Sequence, residues 1–363
     1  MTTFPTFDNI KLNEYDIVGG YYMLGFLTKH RPDCLFITYD QWQDHYDYEW
    51  LQNIIEQNLK EKIICILPWD EDILGRDNCK LSAILNQYAD EKVFWITQLS
   101  PNNQKIYQHQ NNINCKMLEL PWWLLNDVLT YYEVQKHYKP SLSPTSTDLS
   151  YLCMIGNSSS KHKTWLVEHL IRKNLDHHGL ITVLDYKNYP EYFKNHVHIN
   201  PVKPYQNIQT NWPKMAAQKK LGDVWISKNV ENFLYIEANY DMPLIINPET
   251  SPGIFFSTEK SIWPILLGKL YLIYGGPGSM AWLQQFYDID QKEFCDVEFD
   301  SITGLYTEDD YKDRLDSMID TNFELIKNSR EIYNDLRPRL ESARWMFGRK
   351  LYDFFINQLL EIK

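Results

Sequence analysis

Thr258, Glu259 and Lys260 stand in a row just before the apolar stretch "SIWPILLG", and together they could bind a phosphorylated ligand. Ser257 or Thr258 is a candidate N-cap, which places Glu259 and Lys260 in the first turn of a helix. A helix amino terminus offers free backbone N–H groups and a partial positive charge, and Lys260 adds a full one, a combination that suits a diphosphate. Glu259 can accept two hydrogen bonds from vicinal hydroxyls such as those of a ribose. The same residues also read as an ordinary capped helix with a solvated lysine, and chemistry alone leaves both readings open.

The flanking segments carry the argument further. Upstream, "DMPLIINPE" is expected to be a buried strand, with Glu249 just past its carboxyl end, where open α/β sheets bind ligands. Downstream, the strand "KLYLIYGG" runs into Gly275, Gly276, Pro277 and Gly278, whose glycines permit close backbone approach before "SMAWLQQF" starts another helix. Alone, that tetrapeptide is only a turn. A second basic cluster, Lys161, His162 and Lys163 in "SSSKHKTW", follows the apolar run "LSYLCMIGN".

Elements of two kinds must position these residues. Apolar runs ("CLFITYD", "KIICILPW", "KVFWITQ", "NCKMLELPWW", "LSYLCMIGN", "GLITVLDY", "MPLIINPE", "KLYLIYGG") alternate with stretches of helical spacing such as "EWLQNIIEQNLKE" and "KTWLVEHLIRKNLDHHG". This alternation predicts an α/β fold of parallel sheets with helices on both faces. A chain of 363 residues exceeds what one core usually holds. Prolines, serines and threonines interrupt the pattern at "HYKPSLSPTSTDLS". We therefore expect a first domain over residues 1–140, a second over 149–307, and C-terminal helices over 308–363 that break at Pro338.

The order of strand with terminal acid, "TEK" opening a helix with a proline four residues on, and strand with a Gly-Gly-Pro-Gly turn resembles the donor-binding domain of inverting α-1,3-fucosyltransferase-like glycosyltransferases. Relatives encoded by large-genome bacteriophages show a similar layout. The segment from Leu149 to Leu184 resembles the opening strand, basic loop and helix of that domain. The resemblance thus spans roughly residues 149–314, less clearly 190–235, and hardly the first 140.

The resemblance implies two Rossmann-like domains facing a cleft (the GT-B type), with the helical tail packing back across the junction. It implies a nucleotide-diphosphate sugar as co-substrate, no other cofactor, and an inverting, metal-independent transfer in which backbone dipoles and basic side chains stabilise the leaving diphosphate. Lys260 would contact the diphosphate, with Thr258 opening the same turn, Glu259 the ribose, and Glu249 the sugar or nucleotide. Gly275, Gly276 and Gly278 would form the second wall. Lys161, His162 and Lys163 stand where the family pattern has arginine, and lysine lacks the bidentate fork. The segment "NPETSPGIFFS" departs from the asparagine-serine and aspartate-tyrosine usual ahead of "TEK", so fucose is not implied as the sugar. A carboxylate from the first domain would deprotonate the acceptor hydroxyl. Asp40 after "CLFITY" and Asp70 after "IICILPW" are the candidates, and both also read as turn or N-cap aspartates.

The remaining features are weaker. Asp70-Glu71-Asp72 matches the D-x-D that holds a divalent cation in the other nucleotide-sugar fold, but such triplets are frequent in acidic chains and this one is remote in sequence from "TEK". His177 and His178 read as the C-terminal end of a helix, where cationic side chains favour the dipole. Trp122 and Trp123 could stack on a sugar or base, or begin a helix. The six cysteines form no C-x-x-C pair and several sit in apolar runs, so reduced, buried thiols are expected. No basic-then-apolar leader opens the sequence and no apolar run reaches the ~18 residues of a membrane span. We expect a soluble, cytoplasmic protein, in the host cytoplasm if phage-encoded, with no membrane partner.

A net charge of −12 argues against a surface that grips nucleic acid throughout, though not against a local groove of Lys161, Lys163, Lys203, Lys219 and Lys220. A glycan acceptor suits an acidic protein, whereas the resemblance to phage-encoded relatives implies a hydroxymethylated DNA base as the other acceptor, which would have to be flipped into the cleft. The alternative is a non-catalytic glycan- or nucleotide-binding protein on the same scaffold.

Overall fold

The computed structural model describes residues 22–39, 48–68, 79–97, 145–155, 161–183, 191–199, 230–238, 259–301 and 307–363, with most of 104–129. Asp40, Asp70, Glu249, Thr258, Trp123, Lys203, Lys219 and Lys220, and the expected strand "DMPLIINPE", lie outside them.

The first sheet takes its strands in chain order: β1 (Cys34–Tyr39), β2 (Ile63–Pro68), β3 (Val93–Thr97) and β4 (Lys116–Glu119), all parallel. Every residue of β2 and β3 is buried, which is why these strands read as continuous apolar runs: helices cover both faces of a parallel sheet. Before β1 comes α1 (Tyr22–His30); α2 (Tyr48–Asn58) precedes β2 and buries Leu51 and Ile55, one turn apart; α3 (Cys79–Asn86) precedes β3.

The second sheet contains β5 (Thr145–Ile155), β6 (Gly179–Val183), β7 (His198–Ile199), β8 (Val230–Ala238) and β9 (Leu270–Tyr274), in the order β7-β6-β5-β8-β9 and parallel throughout. Helix α4 (Lys161–Arg172) follows β5, α5 (Glu259–Leu266) leads into β9, and α6 (Ser279–Gln284) follows it. Two helices, α7 (Glu308–Thr321) and α8 (Phe323–Leu360), close the chain. The architecture is α/β with two parallel sheets and a C-terminal helical segment, and among the described residues no helix is long and apolar enough to cross a membrane.

Several details differ from the sequence reading. A strand the sequence reading did not single out, β8 ("VENFLYIEA"), pairs with β9; its glutamates disguise a buried centre at Phe233–Ile236. β5 begins at Thr145, inside the expected linker, because Thr145 pairs with Val230 of β8 before a register shift. The break in the C-terminal helices falls at Asn322 and Asn328, not at Pro338; Asn328 has non-helical dihedrals, whereas Pro338 lies within α8. Pro338 and Asn334, four residues earlier, are both exposed, so water can serve the carbonyl that proline leaves without a donor. His177 and His178 lie in a separate 3-10 turn, after α4 has ended at Arg172. There the buried Asp176 carboxylate takes His196 Nδ1 at 2.6 Å.

Helix α8 joins the two halves. Its first turns meet β5: Ser150 Oγ donates to Lys327 O at 2.6 Å and Ser329 Oγ to Ser150 O at 2.5 Å. Its last turns lie on α1, where Phe26 and Tyr352 meet edge to face at 5.8 Å. Arg31, directly after α1, donates through Nη1 to the carbonyls of Leu359 and, at 2.7 Å, Ile362. Asp33 holds the same guanidinium by two bonds of 2.9 and 2.7 Å, and that bonding pulls its carboxyl down to about 2. One contiguous core contains residues of both sheets. Of the described cysteines, Cys34, Cys65, Cys115, Cys153 and Cys295 are buried and take part in no disulfide.

Gly179 shows how tightly the second sheet is packed. A Cβ there would lie 2.4 Å from the Tyr151 ring, whose hydroxyl is fixed to Leu175 O at 3.1 Å. Gly179→Ala is expected to cost about 1–3 kcal/mol through this overlap alone, read as a lower denaturation midpoint with unchanged m-value.

Candidate functional site

The strand order β7-β6-β5-β8-β9 reverses direction between β5 and β8. Ligands of open α/β sheets bind outside the carboxyl ends of the strands at such a switch point. Five residues separate the end of β5 from the start of helix α4. Helix α5 ends within a short turn of β9 and so runs back against the sheet, which points its opening residues, Glu259 and Lys260, toward the same edge. Two helix amino termini thus flank the switch point, the arrangement that favours an anion.

The basic cluster on α4 divides in use. Lys161 is exposed and pairs with the equally exposed Glu308 in the first turn of α7. Exposed pairs contribute roughly 0–1 kcal/mol, so this lysine is easily released to a better anion. His162 turns inward with Leu166, Val167, His169 and Leu170. Desolvation first, and then the neighbouring Lys163, push its imidazole down to about 3. It is neutral across the physiological range and brings no charge to a phosphate, which corrects its expected role. Lys163 is half-buried.

The Gly275–Gly278 turn also departs from expectation. Arg314 of α7, 1% exposed, donates from Nη1 to Gly275 O at 2.5 Å and from Nε to Phe299 O at 2.7 Å, and lies 4.8 Å over the Tyr274 ring. Asp300 O accepts from Gly278 N at 2.8 Å, and Asp300 Oδ2 accepts from Ala281 N at 3.0 Å. The N–H groups that open α6 are thus occupied by a carboxylate of the chain itself. Gly275 and Gly276 are buried, and Gly278 has φ +89°, the left-handed conformation that accounts for its glycine. Rather than presenting a bare wall to a ligand, the turn is tied down from within. Asp300 and Arg314 were not singled out by sequence reasoning, although Arg314 falls on the apolar stripe of α7 with Leu315, Met318 and Ile319.

Helix α7 is fixed in turn by charge. His169 Nδ1 lies 2.6 Å from Asp316 and Nε2 2.9 Å from Asp320, while Arg172 and Lys173 reach the same two carboxylates at 2.9 and 2.8 Å.

On the first sheet the strand ends are Tyr39, Pro68, Thr97 and Glu119. Glu119 pairs in register with the buried Thr97, and the ladder continues with Leu120 N donating to Thr97 O at 2.8 Å. Burial alone pushes its carboxyl up to about 7. Trp122 is buried and donates from Nε1 to Pro68 O at 3.2 Å, so it packs in the core instead of stacking on a ligand. Glu119 too was missed; its signal is a lone acid ending the run "CKMLE".

Among the described residues no group of three or more His, Cys, Asp or Glu side chains could hold a metal ion. No protein-family model, curated protein or solved structure matches this chain.

Two measurements check this electrostatic picture. Arg314→Met strands the buried Asp300 carboxylate and is expected to cost on the order of 3–5 kcal/mol, part of it recovered when Asp300→Asn is added, as a double-mutant cycle reads. Glu119 has a folded-state pKa above its unfolded value, so its ionisation opposes folding. Stability declines as pH rises from about 4.5 to about 7, and Glu119→Gln should melt above the wild type at pH 8 but level with it at pH 4.

Proposed function

We propose that this protein is a glycosyltransferase of the GT-B type, moving a sugar from a nucleotide-diphosphate donor to an acceptor hydroxyl. The observation that carries the reading is the switch point between β5 and β8, flanked by the amino termini of α4 and α5 and by the basic residues those termini bear. Lys260, Lys161 and Lys163 bind the diphosphate in this reading, and Glu259 takes the ribose hydroxyls. The Gly275–Gly278 turn acts as a braced support. Transfer is inverting and needs no metal, because fixed dipoles and ammonium groups stabilise the leaving diphosphate. The acceptor is a glycan or a hydroxymethylated base in DNA.

One observation favours a second reading, a non-catalytic nucleotide- or glycan-binding protein. The N–H groups that open α6, directly after the glycine turn expected to form the second wall, are occupied by Asp300. Turnover separates the two readings, since a binding protein takes up the nucleotide sugar and releases it unchanged.

The test is thermal shift and calorimetry with a panel of nucleoside diphosphates and nucleotide sugars. One nucleotide class should raise the melting temperature of the wild type. Lys260→Ala, with its fold intact by circular dichroism, should bind that class at least about tenfold more weakly, as loss of a charge-assisted contact predicts. No stabilisation by any member of the panel refutes the donor site.

A further inference from the structure

We propose that Glu119 is the residue that accepts the acceptor's proton, and that the carboxyl edge of the first sheet is therefore the acceptor side of the site. This inference rests on the transfer reading above. Glu119 ends β4 and so brings a carboxyl group to the carboxyl edge of that sheet; among the described strand ends Tyr39, Pro68, Thr97 and Glu119 it is the acid. It lies at the edge where parallel sheets receive ligands.

The residue is held on a rigid element. Register pairing with Thr97 fixes it on one side, the Leu120–Thr97 hydrogen bond continues the ladder past it, and the indole of Trp122, bonded to Pro68 O, fixes the chain just beyond. A carboxylate so placed is preorganised, as a proton acceptor must be. It is half-buried, and no described residue offers it an ion pair or a hydrogen bond that would hold it permanently charged. A carboxyl poised near neutrality by desolvation, instead of fixed by a cation, both takes and releases a proton at working pH.

The step balances without a further reagent. The acceptor hydroxyl gives its proton to a Glu119 carboxylate oxygen as its own oxygen bonds the anomeric carbon of the donor. The bond from that carbon to the phosphate oxygen breaks, and its electron pair leaves with the nucleoside diphosphate. Glu119 then returns the proton to solvent.

Wild type, Glu119→Gln, Asp40→Asn and Asp70→Asn would be compared with the nucleotide sugar that stabilises the wild type. Calorimetry reads donor binding. Nucleoside diphosphate release reads turnover, with water, a glycan set and hydroxymethylated duplex DNA as acceptors. We expect Glu119→Gln to bind the donor as the wild type does and to lose at least about 100-fold in kcat. The wild-type rate should rise with pH along an acid limb near neutrality, and that limb should vanish in the variant. Turnover by Glu119→Gln at the wild-type rate, loss confined to Asp40→Asn or Asp70→Asn, or a slowed variant that keeps the acid limb would each overturn the assignment while leaving the donor site standing. A wild type that binds the donor yet never releases diphosphate also overturns it. Failure of the wild type to bind any nucleotide sugar removes the transfer reading itself, and calorimetry reports that separately.

Discussion

The grip of Arg31 on the end of α8 is the contact on which the union of the two sheets turns. A helix carboxyl terminus leaves carbonyls without donors and carries partial negative charge, so a guanidinium bonded to Leu359 O and Ile362 O satisfies both needs at once. Asp33 orients that guanidinium bidentately, which leaves its inner Nη1 for the helix. Because the other end of α8 is fixed to β5 through Ser150 and Ser329, one helix is held at both sheets. The hydrophobic core that spans the halves forms along this helix, with Phe347, Leu351, Tyr352 and Phe355 buried on it.

A second chain of dependence leads to the carboxyl edge of the second sheet. His169 sits between two aspartates of α7 and so fixes that helix on α4. Fixed α7 delivers Arg314 into the core, where burying a guanidinium is tolerable only because backbone carbonyls, aromatic faces and the Asp300 carboxylate surround it. Asp300 stays buried for the reciprocal reason, accepting from the first N–H groups of α6 while desolvation still raises its pKa. The glycine turn inherits its shape from this buried pair.

Charge is distributed unevenly around the switch point. His162, the residue after Lys161 on α4, is buried and neutral, whereas Lys161 is exposed and, among the described residues, is held by an exposed glutamate. A binding site needs both kinds of residue: a rigid, uncharged floor and cations that exchange partners at little cost.

Much of the fold was legible in the sequence. Short continuous apolar runs such as "IICILP" and "LYLIY" read as strands buried on both faces, and their alternation with helical spacing points to parallel pairing. The opening of α5 at Glu259 followed from the Ser257 or Thr258 capping signal in the sequence and the apolar residues after it. Local chemistry sufficed for these because each depends on neighbours within one turn or one strand. Tertiary structure alone decided the rest. That β8 lies between β5 and β9 depends on pairings across scores of residues, and its glutamates hid it. Whether His162 is a cation depends on which face of α4 is buried, and whether the Gly275–Gly278 turn is open depends on Arg314 and Asp300, which come later in the chain. The poise of Glu119 has the same origin, since burial, a property of the assembled fold, sets its proton affinity.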